Sequence, residues 1–479
     1  MNYIDVDEPP MVLSLIMDVL DRVESGEPLD VALGLMDTAF PSPVDADPRR
    51  YVAHAVDTYL TATADRPPLV LHRRMWAIQH ESEVVRELWS WGRRYQSADG
   101  SRRELRLLRF KSADPTRRTK EEVAVASYVT AFGSTARQGE YWNEPFELFD
   151  GPKPDQVTVL EVGLFDGSRE ILFDGTATQA RDKYNAEGRK EVSVLLNGTG
   201  VRPGGDCPKC RLKAACPAVA RTGNLLGVVA HPRTRLRKVS VSDLRYYERC
   251  PARYRLQSMS LPRLNEYDRY ARLGKAVHNV LEQRHATGTR PCSAADLPDG
   301  DEWVKGWDLD EREVRAGVKM LANHALVCPL HTGTGLLVEP TFAFHDTSAQ
   351  AMVIATPDLV YRDRGAWVWR ETKTTQRPAS TRPVLELYPQ LALATTVLAA
   401  GLLGGDVSRA RVELEVLRPG SSDLVPFDPH EPANLAQARE VLRKLAQPWR
   451  DDTDFPARPG ENCRTCPVRR WCPSTLAPE

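Results

Sequence analysis

Two groups of residues in this 479-residue sequence have the types and spacing to do chemistry. The first is built on carboxylates. Residues 352–361 read as a strand carrying Asp358, and residues 366–373 read as a second strand, after a turn at 362–365, that ends in Glu371-Thr372-Lys373. Residues two apart on a strand share a face, so Glu371 and Lys373 project together. Asp358 and Glu371 are hard oxygen donors suited to Mg2+ or Mn2+, with the backbone carbonyl of Thr372 as a further donor. Such a metal would acidify a bound water, and Lys373 would orient that water or neutralise an oxyanion. Upstream, His278 follows Gly274 by four residues on a helix-like segment, above a spot where the missing side chain permits close approach. A neutral imidazole there is a candidate third ligand. Gln390, at the start of a second helix-like segment, is placed to bond a phosphate or to hold Lys373. Taken singly, each residue has a plainer reading as a strand end, a structural histidine or a helix-start polar group. What separates the readings is their occurrence together, in order.

The second group is sulfur. Of nine cysteines, none precedes Cys207 and seven fall in clustered patterns. Cys463-x2-Cys466-x5-Cys472 brings three thiolates onto one short loop, and Cys250 is the natural fourth ligand because both segments flank the carboxylate region. Four thiolates suit a [4Fe-4S] cluster or a structural zinc, and ligand softness does not separate the two. Cys207, Cys210 and Cys216 repeat the same spacing as a possible second metal knuckle, with His231 a possible fourth ligand. Cys292 and Cys328 have no partners at ligand spacing and are expected to be plain buried thiols.

The elements that must position these groups belong to an ordinary folded protein of two or three domains. Hydrophobic residues make up 42% and charged residues 27% of the chain, and the length exceeds one compact core. No apolar run approaches the ~18 residues of a membrane helix. The start, Met1-Asn-Tyr-Ile-Asp5, is acidic where a secretory signal would be basic, so a cytoplasmic protein is expected. In that reducing compartment, clustered cysteines bind metal more often than they form disulfides. A net charge of -1 gives no global attraction to nucleic acid. Any such contact would rely on local runs such as Arg117, Arg118 and Lys120, or Arg233, Arg235, Arg237 and Lys238, which read equally well as solvated charges beside acids.

Read in order, residues 242–254, Gly274 with His278, Asp358, Glu371 to Lys373, Tyr388 with Gln390 and the terminal cysteine triplet resemble the PD-(D/E)XK nucleases. Within that superfamily they resemble the RecB-like branch with an iron-sulfur staple, which includes AddB-type helicase-nuclease subunits and CRISPR-associated RecB-like exonucleases. The resemblance covers 239–473. It implies an α/β restriction-endonuclease-like fold, a mixed sheet flanked by helices. It implies His278, Asp358 and Glu371 as metal ligands, Lys373 as catalytic lysine, Gln390 as an accessory, and Cys250, Cys463, Cys466 and Cys472 as ligands of a [4Fe-4S] cluster. Its departures are Ala355-Thr356-Pro357, where a glycine usually precedes the metal-binding aspartate, and Ala394, where the glutamine helix usually carries a tyrosine.

The N-terminal half echoes this pattern. Gln179-Ala-Arg, Arg202-Pro-Gly and the 207/210/216 triplet match Gln437-Ala-Arg, Arg458-Pro-Gly and the 463/466/472 triplet, and Ala55-Val-Asp57 matches Ala276-Val-His278. Residues 106–115 echo the Glu371 strand, with Arg109 in the acid's place. The expectation is a duplicated fold with a degenerate first copy: residues 1–224 as that copy or an accessory domain, 225–238 as a basic linker and 239–479 as the active domain. The function expected is that of a metal-dependent DNA nuclease, exonucleolytic or single-strand-preferring, in repair or in defence against foreign DNA, with a helicase or other subunit as partner and no membrane. Two alternatives stay open, a non-catalytic DNA-binding subunit that recruits such a partner, and a zinc-dependent RNA-binding protein.

Overall fold

The computed structural model describes residues 12–36, 47–81, 83–139, 144–231, 234–264, 269–288, 290–298, 300, 302–377 and 380–475. The acidic start, and Arg233 of the basic run, lie outside them. The chain divides into two compact units, one formed mainly by Pro10–Gly200, the other by Val201–Arg255 and Asn265–Cys466. Short segments, Leu256–Leu264 and Pro467–Glu479, group with the first.

The N-terminal unit opens with helices α1 (Val12–Val23), α2 (Leu29–Ala32) and α3 (Arg49–Thr63). The strands β1 (Val70–Leu71), β2 (Met75–His80), β3 (Arg86–Trp89), β4 (Arg93–Gln96) and β5 (Arg102–Arg109) follow. Next come α4 (Lys120–Phe132), β6 (Ser134–Arg137), β7 (Glu147–Phe149), β8 (Gln156–Gly163), β9 (Arg169–Thr176), α5 (Ala177–Lys183) and α6 (Arg189–Asn197). Five strands form a sheet in the order β1-β4-β5-β8-β9, antiparallel at every pair except the parallel β5–β8. A parallel pair needs a long crossover, and α4 lies on it. Its start is set by a capping box in which Thr119 and Glu122 satisfy each other's free backbone donors.

The C-terminal unit holds β10 (Val219–Thr222), β11 (Arg237–Val239), α7 (Val241–Arg249), the start of α8 (Pro251–Ser258), α9 (Arg269–Thr287) and α10 (Glu311–Ala325). Then come β12 (Gly333–Val338), β13 (Phe342–Asp346), β14 (Ala351–Ala355), β15 (Leu359–Asp363) and β16 (Ala366–Thr374). After these come α11 (Val384–Leu387), α12 (Pro389–Ala399), β17 (Arg411–Leu417), β18 (Ser422–Phe427) and α13 (Pro432–Asp451). Its main sheet runs β12-β15-β16-β17-β18, again antiparallel except at one pair, β16–β17. Strand order and pair directions repeat those of the first unit one for one. A helix precedes each sheet (α3, α9) and another lies on each parallel crossover (α4, α12). This is the α/β fold of mixed sheets flanked by helices that the sequence led us to expect, in two copies.

The local sequence explains the central elements. β17 is buried along Val412 to Leu417, and α12, largely apolar, is buried from Leu391 to Leu398, where the Thr395 and Thr396 hydroxyls donate back to helix carbonyls. The β15–β16 hairpin turns on Arg364 and Gly365, both at positive φ (50° and 86°), the backbone of a two-residue turn whose twist matches the flanking strands.

Three expectations are corrected here. Residues 352–361 are two strands, not one: β14 belongs to a four-stranded sheet (β10-β13-β14-β11) and β15 to the main sheet. The break falls at Thr356-Pro357-Asp358, where proline removes a ladder donor. Residues 201–224 group with the C-terminal unit, since β10 pairs in parallel with β13. Nor is 225–238 a free linker: Leu225, Leu226, Val228 and Leu236 are buried, β11 pairs with β14, and Arg237 is buried and donates to the Trp449 carbonyl at 2.9 Å.

Charge is buried in the main sheet. Arg370 donates from Nε to Glu413 Oε2 at 2.7 Å, and the Tyr361 hydroxyl donates to the same oxygen at 2.7 Å. Both charged side chains are only 3% exposed. Removing one member of such a pair strands the other charge in the interior at a cost of about 3–5 kcal/mol. Glu413→Gln is therefore expected to lower the melting temperature strongly, whereas Glu311→Gln, at the exposed Arg315–Glu311 pair, is expected to change it little. Equal effects in thermal denaturation would remove the distinction.

Candidate active site

The register of the β15–β16 hairpin places Leu359 opposite Arg370. Asp358 is the next residue out and comes level with Glu371. The Thr372 amide donates to Asp358 Oδ2 at 2.7 Å and fixes that carboxylate. Trp369, Glu371 and Lys373 share one face of β16: the Trp369 indole donates to Glu371 Oε1 at 3.2 Å, and Lys373 Nζ lies 3.0 Å from Glu371 Oε2 and 3.4 Å from Asp358 Oδ2. His278 Nδ1 completes the group, 3.5 Å from Asp358 Oδ1.

Helix α9 brings His278 there with two adjacent stripes. Leu273, Val277 and Leu281 pack in a core cluster with Met320 and Leu321 of α10 and with Leu417. One position further round, Gly274, His278 and Glu282 repeat at intervals of four. A Cβ on Gly274 would lie 2.6 Å from Thr374 Oγ1, so the glycine is what lets α9 close on β16, as its spacing with His278 suggested.

The electrostatics are those of two carboxylates in a half-closed site. Burial pushes the Glu371 carboxyl up, with the neighbouring Asp358 adding to the shift against the pull of Lys373. Burial also acts against ionised Asp358, but His278, Lys373 and the Thr372 amide overcome it and hold that carboxyl down at about 2. Lys373 is held well above the ordinary lysine range: burial disfavours its charge, and the two acids outweigh it. An ammonium thus occupies the space between two anions. The oxygen-rich donor set, with one imidazole, suits a hard divalent cation.

Of the expected site residues, His278, Asp358, Glu371, Thr372 and Lys373 are brought together. Gln390 starts α12, and its Oε1 is buried without a hydrogen-bond partner. Two acids were missed. Glu282 and Glu339 line one pocket with His278, His285, Asp358 and Thr372. Burial, together with Glu282 and Asp358, pushes the Glu339 carboxyl up. The His278-x3-Glu282 spacing carried a signal for the first. Glu339 arrives only through the fold, its amide donating to the Asp358 carbonyl at 3.1 Å.

Cys250 caps the end of α7, a helix begun by the Ser240/Asp243 capping box. The Arg458 amide lies 3.5 Å from its Sγ, Arg458 Nη1 donates to the Glu248 carbonyl at 2.8 Å, and the Ala252 amide donates to Pro456. The chain leading into Cys463 and Cys466 is therefore fastened to the end of α7. Cys472 lies in the segment that groups with the N-terminal unit. None of these four is in a disulfide, nor are Cys207, Cys210 and Cys216, of which Cys207 packs in a small core with Val219, Leu236 and Met352. His231 is exposed.

The first copy carries no comparable acid group on its equivalent strand. Leu160-Glu161-Val162 of β8 matches Leu414-Glu415-Val416 of β17. Leu160 is level with Arg106 and Val162 with Leu108, whereas Leu414 is level with Glu371 and Val416 with Lys373. By this register Arg106, rather than Arg109, stands at the acid's place, paired with Glu104 and donating to the Tyr59 hydroxyl at 3.1 Å. The basic run before α4 is likewise paired: Arg118 donates to buried Glu161 at 2.8 Å, and Arg117 lies 3.7 Å from Asp114.

Residues 238–473 match the family model of the PD-(D/E)XK nuclease superfamily. The C-terminal half thus carries a domain similar to metal-dependent nucleases. No curated protein matches the chain. A solved structure titled "Crystal structure of SSO0001" aligns over 50% of this chain and 87% of its own, at 16% identity and a TM-score of 0.27. Among the described residues, no helix is long and apolar enough to cross a membrane.

The closeness of α9 to β16 is testable. Gly274→Ala gains helix propensity of ~1 kcal/mol, but its methyl group meets a stiff, branched threonine. The net expectation is a destabilisation of about 1–3 kcal/mol by overpacking, relieved in the double variant Gly274→Ala with Thr374→Ala, which removes the hydroxyl the new methyl group would meet. A stabilised single variant in urea denaturation would show that the gap is not needed.

Proposed function

We propose that the protein is a Mg2+- or Mn2+-dependent deoxyribonuclease whose catalytic centre is His278, Asp358, Glu371 and Lys373. The observation that carries this reading is the placement of Lys373 between two convergent carboxylates at the end of a β-hairpin. His278, Asp358, Glu371 and the Thr372 carbonyl would hold the divalent cation, which when bound supplies an acidified water and positive charge for the phosphate. Thr372 keeps Asp358 oriented through its amide. Lys373, kept protonated by its two neighbours, carries the charge that meets a phosphate oxygen or the attacking water. Gln390 serves as an accessory that bonds the phosphate or Lys373. Glu282 and Glu339 add negative charge to the pocket and strengthen its preference for a dication.

In the finer reading, the enzyme belongs to the RecB-like branch and acts on single-stranded or end-bearing DNA in the cytoplasm, in repair or in defence, alongside a helicase or another subunit. Cys250, Cys463, Cys466 and Cys472 hold a [4Fe-4S] cluster with a structural role; the fastening of residues 456–458 to the end of α7 supports it. The N-terminal copy, with arginine where the acid would stand, is a scaffold that holds DNA, and Cys207, Cys210 and Cys216 are a further metal knuckle.

The test is cleavage of end-labelled single- and double-stranded DNA by anaerobically purified protein with Mn2+ or Mg2+. Lys373→Ala is expected to lose roughly 100- to 1,000-fold in rate. If wild type with its cluster intact does not cut, the protein either needs its partner subunit in order to cut or is a DNA-binding subunit. Cys466→Ala is expected to lose iron, sulfide and solubility together, and a soluble, active variant would remove the cluster's structural role.

A further inference from the structure

Behind the carboxylate pocket lies a second set of ligand-type side chains. The geometry points to a closed zinc site formed by His285, Cys292, His324 and Cys328, separate from both cysteine triplets. One ligand atom from each of the four lies within 4.8 Å of every other. His285 Nε2 is 3.2 Å from His324 Nε2 and 3.8 Å from the sulfur of each cysteine. A tetrahedron with ordinary zinc–nitrogen and zinc–sulfur bonds has edges of roughly 3.3 Å between nitrogens and roughly 3.6 Å between nitrogen and sulfur. The four atoms therefore stand near the corners such an ion requires.

Their surroundings favour a metal over chance packing. His285, His324 and Cys328 are 4%, 0% and 3% exposed, so water cannot readily satisfy them. Glu415 Oε1 lies 2.6 Å from His324 Nδ1. With the proton on Nδ1, donated to that carboxylate, the Nε2 lone pair points at the other imidazole. That lone pair and His285 Nε2, 3.2 Å apart, are joined either by an N–H donated from His285 or by a shared cation, and the carboxylate–histidine pair is a common way to orient a metal ligand. The Cys292 amide lies 3.3 Å from Cys328 Sγ and supports negative charge on that sulfur. Two thiolates with two imidazoles select zinc over the hard cations of the neighbouring pocket.

Four protein ligands leave no open coordination position, so the ion is structural. It joins the last turn of α9, the chain after it, the end of α10 and the lead into β12. Glu415 extends the link to β16, because its other oxygen accepts from Thr372 Oγ1 at 3.0 Å. The expectation that Cys292 and Cys328 are plain thiols fails because their partners come from distant parts of the chain. Only His324-x3-Cys328 is a ligand-like spacing in sequence.

The test reads metal, not cleavage, so it stands or falls apart from the nuclease reading. Elemental analysis of the full chain is expected to show that Cys292→Ala and His324→Ala each lose roughly one zinc ion per chain relative to wild type, with iron unchanged, and that Cys292→His regains it. If the alanine variants do not fold, cysteine alkylation of native wild type with peptide mapping decides. Cys292 and Cys328 are expected to resist the reagent until a zinc chelator is added. Unchanged zinc in folded variants, labelling indifferent to the chelator, or a Cys292–Cys328 disulfide would each overturn the proposal.

Discussion

Two ionised carboxylates cannot be buried side by side without a cation, and the C-terminal unit is arranged around that requirement. Asp358 and Glu371 are level with each other because the Arg364-Gly365 turn fixes the hairpin register. Shifting that register by one residue would send Glu371 and Lys373 to the opposite face of β16. The free energy that holds them in place comes from elsewhere: the parallel β16–β17 pair, the buried and largely apolar α12 and the Arg370–Glu413 pair secure the strand. Lys373 then supplies the missing charge at a cost in burial that the two acids outweigh.

The first copy shows the same ladder with the requirement removed. Its sheet has the same order and directions, but Arg106 lies level with Leu160 where Glu371 lies level with Leu414. Arg106 is paired with Glu104, and buried Arg93 with Asp21 and Glu24. Both of these arginines have their counter-charges inside the unit. Topology and chemistry have separated: strand order follows from hydrophobic pattern and crossover, and survives when the charged positions change.

The parts of this protein legible in the sequence were those written in short intervals. Glu371 and Lys373 lie two apart, Gly274 and His278 four apart, and those spacings translate directly into a shared strand face and a shared helix face. The repeat of cysteine spacing and of Gln-Ala-Arg pointed to the duplication, which the matching sheets bear out. What was illegible depended on contacts between distant segments. Nothing local shows that β14 and β15 belong to different sheets, because Pro357 is compatible with either a strand end or a bulge. Arg237 reads as a surface charge until α13 covers it, and Glu339 reads as a loop acid until the fold lays it beside Asp358. Cys292 and His285 are neighbours only once α9 ends and the chain doubles back.

Helix α9 is where these constraints meet, since each position on its inner side answers to a different neighbour. Leu273, Val277 and Leu281 bind it to the core. Gly274 sets how near it lies to β16, and His278 reaches Asp358 from that distance. His285, two turns on, stands against His324 and both cysteines. A helix held by apolar packing alone can slide or rotate by fractions of an ångström at small cost, whereas an imidazole ligand needs its nitrogen fixed to within about half an ångström. Directional contacts at both ends of the His278 segment, backbone approach at one and the histidine–cysteine group at the other, supply the rigidity that packing lacks. On this view the buried histidines and thiols are part of what makes the carboxylate site usable, even though none of them would touch the cation it holds.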